Sequence, residues 1–375
     1  MEETNQPEIT FDQLPQELIR SPYRYIREYY EKIYPFMGSK VFSVLSLVPV
    51  SLILPKISRN KTKFRSRIHF LLLSGVGSGK SSIAREFEKI TFEPMHFEYI
   101  TDARLYYELS QKDRVSLIVS DVARIFADPL LTKQMENILE EGIISRNTMR
   151  NKKEGETKKD IEAVAYLSGT PENINNRVIR DGMLSRVSPL ISFHSQSEHE
   201  YILDYVNKEV GTNGTETFNY IPYYYKELLK IQNGEHSIYS PITGYIIPDS
   251  IKDQMLPFIK PLVNPSFQKF GVQAIRELEE AYRFMIAHAF LNVFNRRVEG
   301  GNIVVTEEDF RVAKFLIKRE ISTKHKIISC INAIDAFNLR TVYDLRDWVN
   351  RQKSMEKKEI GKEATILLTG MLKKN

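Results

Sequence analysis

The chain has 375 residues, enough for about two or three domains that each bury a core. A single cysteine, Cys330, excludes an intrachain disulfide framework and fits a reducing, intracellular setting. The net charge of +5 at pH 7 permits nucleic-acid binding without requiring it, because local clustering decides more than the total.

The first residues, Met-Glu-Glu-Thr-Asn-Gln, are acidic and polar, unlike a secretory signal, which together with Cys330 predicts a cytoplasmic location. Residues 1–20 read as a loose arm. Ser21-Pro22 marks a helix start, and the run from Tyr23 to Tyr34 predicts a helix with a buried face of tyrosines and isoleucines. A second helix is expected over residues 39–48, after Gly38 and ending before Pro49. The apolar stretch Val41 to Pro55 is shorter than the roughly 18 residues a spanning helix needs. It also carries Ser43, Ser46, Pro49 and Ser51, so it reads as a buried helix with its connector, and no membrane contact is expected. Next comes a basic connector with Arg59, Lys61, Lys63, Arg65 and Arg67, which reads as a solvated approach to the first strand.

From Ile68 to Ser195 strand and helix alternate. Strands are predicted at residues 68–73, 96–100, 115–120, 163–168 and 189–193, and helices at 80–90, 103–109, 130–141 and 171–177. Apolar, β-branched strands alternating with helices predict an α/β fold with a parallel sheet buried on both faces. Residues 196–265 are rich in tyrosine (Tyr220, Tyr223, Tyr224, Tyr225) and read as short helices with loops. Longer helices are expected over 272–295 and 306–320, separated by Gly300-Gly301, with Thr306-Glu-Glu-Asp as an acidic helix start. Three short helical stretches close the chain at 326–337, 341–352 and 358–373.

Residues Ser74 to Ser82 read Ser-Gly-Val-Gly-Ser-Gly-Lys-Ser-Ser directly after the apolar run Phe70 to Leu73. This is the spacing of a phosphate-binding loop between a buried strand and a helix, and it predicts binding of a nucleoside triphosphate. Gly75, Gly77 and Gly79, with Ser78 between them, let backbone N–H groups approach phosphates. Lys80 would reach the β and γ oxygens, and Ser81, followed by Ser82, would offer a hydroxyl to Mg²⁺. The strict pattern has Gly at position 74, where this chain has Ser.

The strand ending Val-Ser-Asp121 supplies the acid expected near Mg²⁺. Two registers fit: Asp121 is the metal-side acid and the following Glu is absent, or Ser120 holds that place and Asp121 is the base. Thr170 follows the fourth strand where a γ-phosphate sensor would sit. Arg186, in Ser-Arg-Val just before the fifth strand, is placed to reach a neighbouring subunit's γ-phosphate. Between residues 143 and 159 a hairpin is expected, tipped at Gly155. Its Arg146, Arg150, Lys152, Lys153, Lys158 and Lys159 suit the phosphates of a passing DNA strand.

With these elements in order, the chain resembles the AAA+ ATPases, and within them the minichromosome maintenance (MCM) helicases, from about residue 21 to residue 320. Tyr25-Ile-Arg-Glu-Tyr-Tyr-Glu-Lys-Ile-Tyr-Pro is similar to the helix preceding the MCM ATPase module. Glu140-Glu-Gly-Ile-Ile-Ser resembles the start of the family's DNA-contacting hairpin, and Gly182-Met-Leu-Ser-Arg-Val its arginine-finger motif. Ala274-Ile-Arg276-Glu-Leu-Glu-Glu-Ala-Tyr-Arg283, followed by Val305-Thr-Glu-Glu-Asp-Phe, resembles the lid that carries the sensor-2 arginine, a position matched by Arg276. The chain departs from the family in its altered acidic pair, in lacking a long insert before Ser110, and in having Thr170 where the family has Asn. It looks like a trimmed relative, such as one from a virus, plasmid or other mobile element.

The resemblance implies a P-loop AAA+ core at 61–200 behind an amino-terminal helical segment at 1–60. Connecting helices and a lid would follow at 201–322, and a small winged-helix-like module at 323–375. It implies ATP and Mg²⁺ at the interfaces of a hexameric ring, and DNA, single-stranded above all, as the partner. Residues 320–375 carry eleven Lys/Arg against seven Asp/Glu, compatible with DNA contact. The leading expectation is an ATP-driven DNA translocase or helicase in replication. The alternatives are an ATP-gated DNA-binding platform and a protein remodeller of MoxR type.

Overall fold

The computed structural model describes residues 9–59, 62–97, 101–146, 157–171, 182–192, 196–209, 218–270 and 272–336, with positions 344, 368, 369 and 371. The segment expected as a loose arm is docked: after the turn Phe11–Gln13 comes helix α1 (Gln16–Arg20), and Leu14 and Leu18 are buried. Helix α2 (Pro22–Ile33) begins with proline, whose missing N–H costs nothing in a first turn, and buries Tyr23, Ile26 and Tyr30 at helical spacing. The Tyr30 ring stacks on Phe42 of α3 (Gly38–Leu45), with centroids 3.5 Å apart. A separate helix, α4 (Leu47–Ile53), follows at once and is buried all round. The expected stop before Pro49 is therefore corrected. Pro49 lies in the first turn of α4, where no intrahelical N–H bond is needed. No helix among the described residues is long and apolar enough to cross a membrane.

A short hairpin, β1 (Ile57–Arg59) with β2 (Thr62–Phe64), leads into β3 (His69–Ser74), whose six residues are all buried. Each large apolar side chain so buried contributes about 1.5–3 kcal/mol. Helix α5 (Lys80–Ile90) follows β3, and then come β4 (Pro94–Phe97), α6 (Asp102–Ser110) and β5 (Arg114–Val119). Beyond β5 are α7 (Ala123–Ala127), α8 (Pro129–Glu141), and the strands β6 (Ile143–Arg146), β7 (Thr157–Asp160), β8 (Glu162–Gly169) and β9 (Ser188–Ser192). Strands β4, β5, β8, β3 and β9 form, in that spatial order, one five-stranded parallel sheet flanked by helices. All five predicted strands are present. The predicted helix at 171–177 lies outside the described residues after Pro171.

The order β4-β5-β8-β3-β9 contains a reversal. From β3 the chain crosses to the far edge at β4 and walks back to β8, then jumps over β3 to β9. The crevice between the carboxyl ends of β3 and β8 is thus the switch point at which open α/β sheets bind ligands.

The carboxyl-terminal half is helical: α9 (Gln196–Glu209), α10 (Ile221–Asn233), α11 (Asp249–Ile259), α12 (Ala274–Leu291) and α13 (Glu307–Ala336). Helix α13 corrects the expectation of a break near residue 320. It runs 30 residues, and Leu316, Ile317, Ile321, Ile327, Ile328 and Ile331 are buried along it, giving the chain no reason to leave the helix. The stretch at 326–337 is the end of this helix, and the stretches at 341–352 and 358–373 lie almost wholly outside the described residues. Helices α12 and α13 pack together around a buried ion cluster. In it, Lys324 Nζ lies 3.0 Å from Glu277 Oε1 and 2.6 Å from Glu320 Oε1.

Candidate functional site

The glycine-rich loop joins β3 to α5 at the carboxyl edge of the sheet. Gly77 and Gly79 have φ of +74° and +84°, in the left-handed region where a side chain is strained. A Cβ added to Gly75, Gly77 or Gly79 would meet nothing within 4 Å, so the loop presents open backbone. Gly79 caps α5, whose first N–H groups have no intrahelical partner and face an approaching anion with the helix dipole behind them. Lys80 Nζ bridges the loop, donating to Ser74 O at 3.0 Å and Gly75 O at 2.6 Å. Ser74, the departure from the strict pattern, is buried, and its Oγ lies 2.6 Å from Ser78 Oγ. Its hydroxyl closes the loop from beneath. Ser81 is exposed in the first turn of α5 and Ser82 is half-buried. Tyr166 of β8 pins the same turn through its OH, which donates to Lys80 O at 3.0 Å.

Register brings the other expected residues to this edge. Leu73 of β3 pairs with Gly169 of β8, so Thr170 leaves the sheet beside Ser74. Val119 of β5 pairs with Leu167, which puts Asp121 one strand further along the same edge. Thr170 is half-buried and Asp121 exposed, with Asp121 Oδ1 accepting from Ala123 N at 2.9 Å to start α7. Ser168 Oγ donates to Ser120 O at 2.8 Å, fixing β5 against β8 at this point. Open amides, an ammonium, a serine hydroxyl and one carboxylate are a donor set that fits a triphosphate with Mg²⁺. Mg²⁺ takes few protein ligands and keeps phosphate and water oxygens.

Arg186 and Arg276 are elsewhere. Arg186 ends the turn Met183–Arg186 just before β9, and Phe70 near the start of β3 pairs with Ser188, so Arg186 lies at the amino edge of the sheet. The six residues of β3 separate the two edges by about 17 Å. At the amino edge a cavity of about 410 Å³ is lined by Arg65, Arg67, Glu140, Arg186, Arg276 and Arg283, among others. Arg186 donates from Nε to Glu140 Oε2 at 2.8 Å and from Nη1 to Gly182 O at 2.7 Å. Arg276 donates from Nη1 to Ser185 Oγ at 2.7 Å and from Nη2 to Glu140 Oε1 at 3.2 Å. The fold thus joins the two arginines to each other and parts them from their own chain's glycine loop.

The basic connector is not a solvated approach over its last residues. Arg67 is buried, and its Nη2 lies 2.6 Å from Glu162 Oε2, to which Arg65 Nη1 also donates at 2.9 Å. Burial pulls Arg67 below its usual range while Glu162 holds it charged. Arg65 passes so close to the end of α8 that a Cβ at Gly142 would fall 2.0 Å from Arg65 Nη1. His69, at the start of β3, donates from Nε2 to Leu139 O at 2.9 Å, and burial pushes it down to about 3, leaving it neutral.

The expected hairpin is present as β6 paired antiparallel with β7, from Ile143 opposite Asp160 to Arg146 opposite Thr157. Arg146 and Lys158 lie on its strands, while Arg150, Lys152 and Lys153 lie outside the described residues. Lys159 stands at its foot, donating from Nζ to Ser110 O at 2.8 Å and Lys112 O at 2.9 Å, beside Asp113. That ammonium is engaged by the end of α6.

Sequence reasoning missed Glu140, Arg65, Arg67 and Tyr166 as parts of these two sites. Their partners lie tens of residues away, and no local pattern carries such pairings. Arg283 was findable, because it stands seven residues after Arg276 and therefore on the same helix face. No protein-family model and no curated protein matches the chain. Fold and site together define an α/β protein with a five-stranded parallel sheet, a glycine loop at its carboxyl edge and an arginine cavity at its amino edge.

Proposed function

We propose that the chain is an ATPase of AAA+ type, related in plan to the MCM helicases, that works on DNA as a ring of identical subunits. One observation carries this reading. The glycine loop with Lys80 lies at one edge of the sheet, while Arg186 and Arg276 converge on the other. Residues placed this way act on one nucleotide only when the arginine edge of one copy meets the loop edge of the next. In this reading Gly75 to Ser82 hold the triphosphate, and Ser81 and Asp121 hold Mg²⁺, which supplies neutralisation of phosphate charge. Thr170 hydrogen-bonds the terminal phosphate, and Arg186 and Arg276 of the adjoining copy balance the charge that develops there. Helices α12 and α13 serve as the lid, residues 323–375 as the winged-helix-like module, and the β6–β7 hairpin as the DNA contact.

A second reading, an ATP-gated DNA-binding platform, is favoured by one feature. Asp121 has Ser120 and Val122 as its neighbours and spends one oxygen on Ala123 N, so no second acid adjoins it to activate water. Steady-state ATP hydrolysis with and without single-stranded DNA, on the wild type and on Lys80→Ala, decides between them. The motor predicts DNA-stimulated turnover that Lys80→Ala abolishes. Tight ATP binding without turnover in either condition would leave the platform.

A further inference from the structure

Glu140 is the second-to-last residue of α8, and Glu141 follows it, with no basic residue in that last turn. Acids at a helix carboxyl end oppose the helix dipole, so local structure gives no reason for this carboxylate. Its tertiary contacts do. Glu140 Oε2 accepts from Arg186 Nε at 2.8 Å and also meets Nη2, while Oε1 accepts from Arg276 Nη2 at 3.2 Å. One carboxylate thus bridges two guanidinium groups that come from elements 90 residues apart in the chain, as one edge of a phosphate would.

The three side chains differ in freedom. The Arg186 side chain is only 13% exposed, whereas that of Glu140 is 41% exposed and sits at the rim. Arg186 is held independently by Gly182 O at 2.7 Å, with Glu136 Oε1 at 4.0 Å, and Arg276 by Ser185 Oγ at 2.7 Å. Glu140 is therefore the member that can leave while the arginines stay in place. A triphosphate carries more charge than a carboxylate and offers guanidinium groups the same planar pairs of acceptors.

We infer that Glu140 is an internal anion that occupies Arg186 and Arg276 in the separate chain and must be displaced by an incoming polyphosphate before those arginines act. This rests on the reading of Arg186 and Arg276 as triphosphate-contacting groups and adds a gate to it. Glu140 is in this scheme a regulatory residue: it tunes how readily the arginine edge accepts an anion, and it takes no part in bond breaking.

The test is calorimetric titration of inorganic tripolyphosphate into the full chain carrying Lys80→Ala, which weakens the glycine loop as a competing site. Adding Glu140→Gln removes the charge without changing the shape, and is expected to tighten binding about tenfold. Adding Arg186→Ala to that variant is expected to abolish the gain. Binding that is unchanged or weaker in Glu140→Gln would overturn the proposal, because the carboxylate would then build the anion site instead of blocking it. So would an absence of binding in every variant. A thermal melt checks folding; should Glu140→Gln melt early, Glu140→Asp, too short to bridge both arginines, is expected to tighten binding by a smaller factor. ATP hydrolysis is no part of this readout, so a chain that turns over no ATP would count against the proposed function and leave this comparison intact.

Discussion

Leu73 and Gly169 are register partners on the adjacent parallel strands β3 and β8, so the glycine loop and Thr170 leave the sheet side by side at its switch point. That pairing fixes where a triphosphate meets this molecule. Lys80 spans the loop by donating to two of its carbonyls, a contact that a bound phosphate would replace with a charge-assisted one.

Lys80→Ala is accordingly expected to weaken ATP binding by about tenfold to a hundredfold, the range for losing a hydrogen bond to a charged group. Lys80 is half-buried in a surface loop, so the melting temperature should hardly move. Calorimetric titration with ATP, beside a thermal melt, checks both halves. Unchanged affinity would remove Lys80 from the site.

Glu162 neutralises Arg65 and Arg67 at the amino edge. Glu162→Ala would leave the buried Arg67 guanidinium without its carboxylate. The expected loss is about 2–3 kcal/mol, below the full penalty for a buried pair because Glu162 itself is 31% exposed. Urea unfolding measures it. A loss under about 0.5 kcal/mol would mean that water already screens the cluster.

Two buried groups set opposite pH dependences. Burial pushes His69 from 6.5 down to about 3, so between those values the unfolded chain binds the extra proton and stability falls as pH drops below about 6.5. Burial pushes Glu320 from 4.5 up to about 8 even with Lys324 beside it. There the native chain holds the extra proton, so stability is full below about 4.5 and falls as pH rises toward 8. Glu320→Gln should remove about 1–2 kcal/mol of the difference between pH 6 and pH 8. Thermal melts at the two values test it. An equal pH difference in wild type and variant would refute the assignment.

The hairpin separates two kinds of lysine. Replacing Arg150, Lys152 and Lys153 together with Ala should weaken binding of single-stranded DNA and lower the slope of log affinity against log salt by about 2, at about 0.7 per phosphate contact. Lys159→Met should leave that slope unchanged and instead cost about 1 kcal/mol of stability, because its ammonium serves Ser110 O and Lys112 O. Salt-series binding curves and urea unfolding of both variants distinguish the roles.

What the sequence made legible follows from the range of the interactions involved. The loop, α5 and the five sheet strands rest on local pattern, namely glycine spacing, Lys80-Ser81 and apolar runs such as Phe70 to Leu73. Their predicted positions agree with the structure within a few residues. Pro49 was misread as a stop because a proline in a first turn and one after a helix look alike until the helix start at Leu47 is known. The continuation of α13 past Glu320 depends on burial of that carboxylate against Lys324, one turn further along the same helix. The arginine cavity was half legible. Arg186 and Arg276 carry motif signals, but their meeting at Glu140 joins residues 46 and 136 positions apart, and only the folded chain shows it.

The central claim is that one nucleotide needs the loop edge of one copy and the arginine edge of another. Lys80→Ala and Arg186→Ala should each lower ATP turnover by about a thousandfold when assayed alone. Mixed in equal amounts, the two inactive variants should recover turnover, because some interfaces then pair an intact loop with an intact Arg186. A mixture as inactive as its components, or an Arg186→Ala chain that turns over ATP at the wild-type rate, would contradict the account.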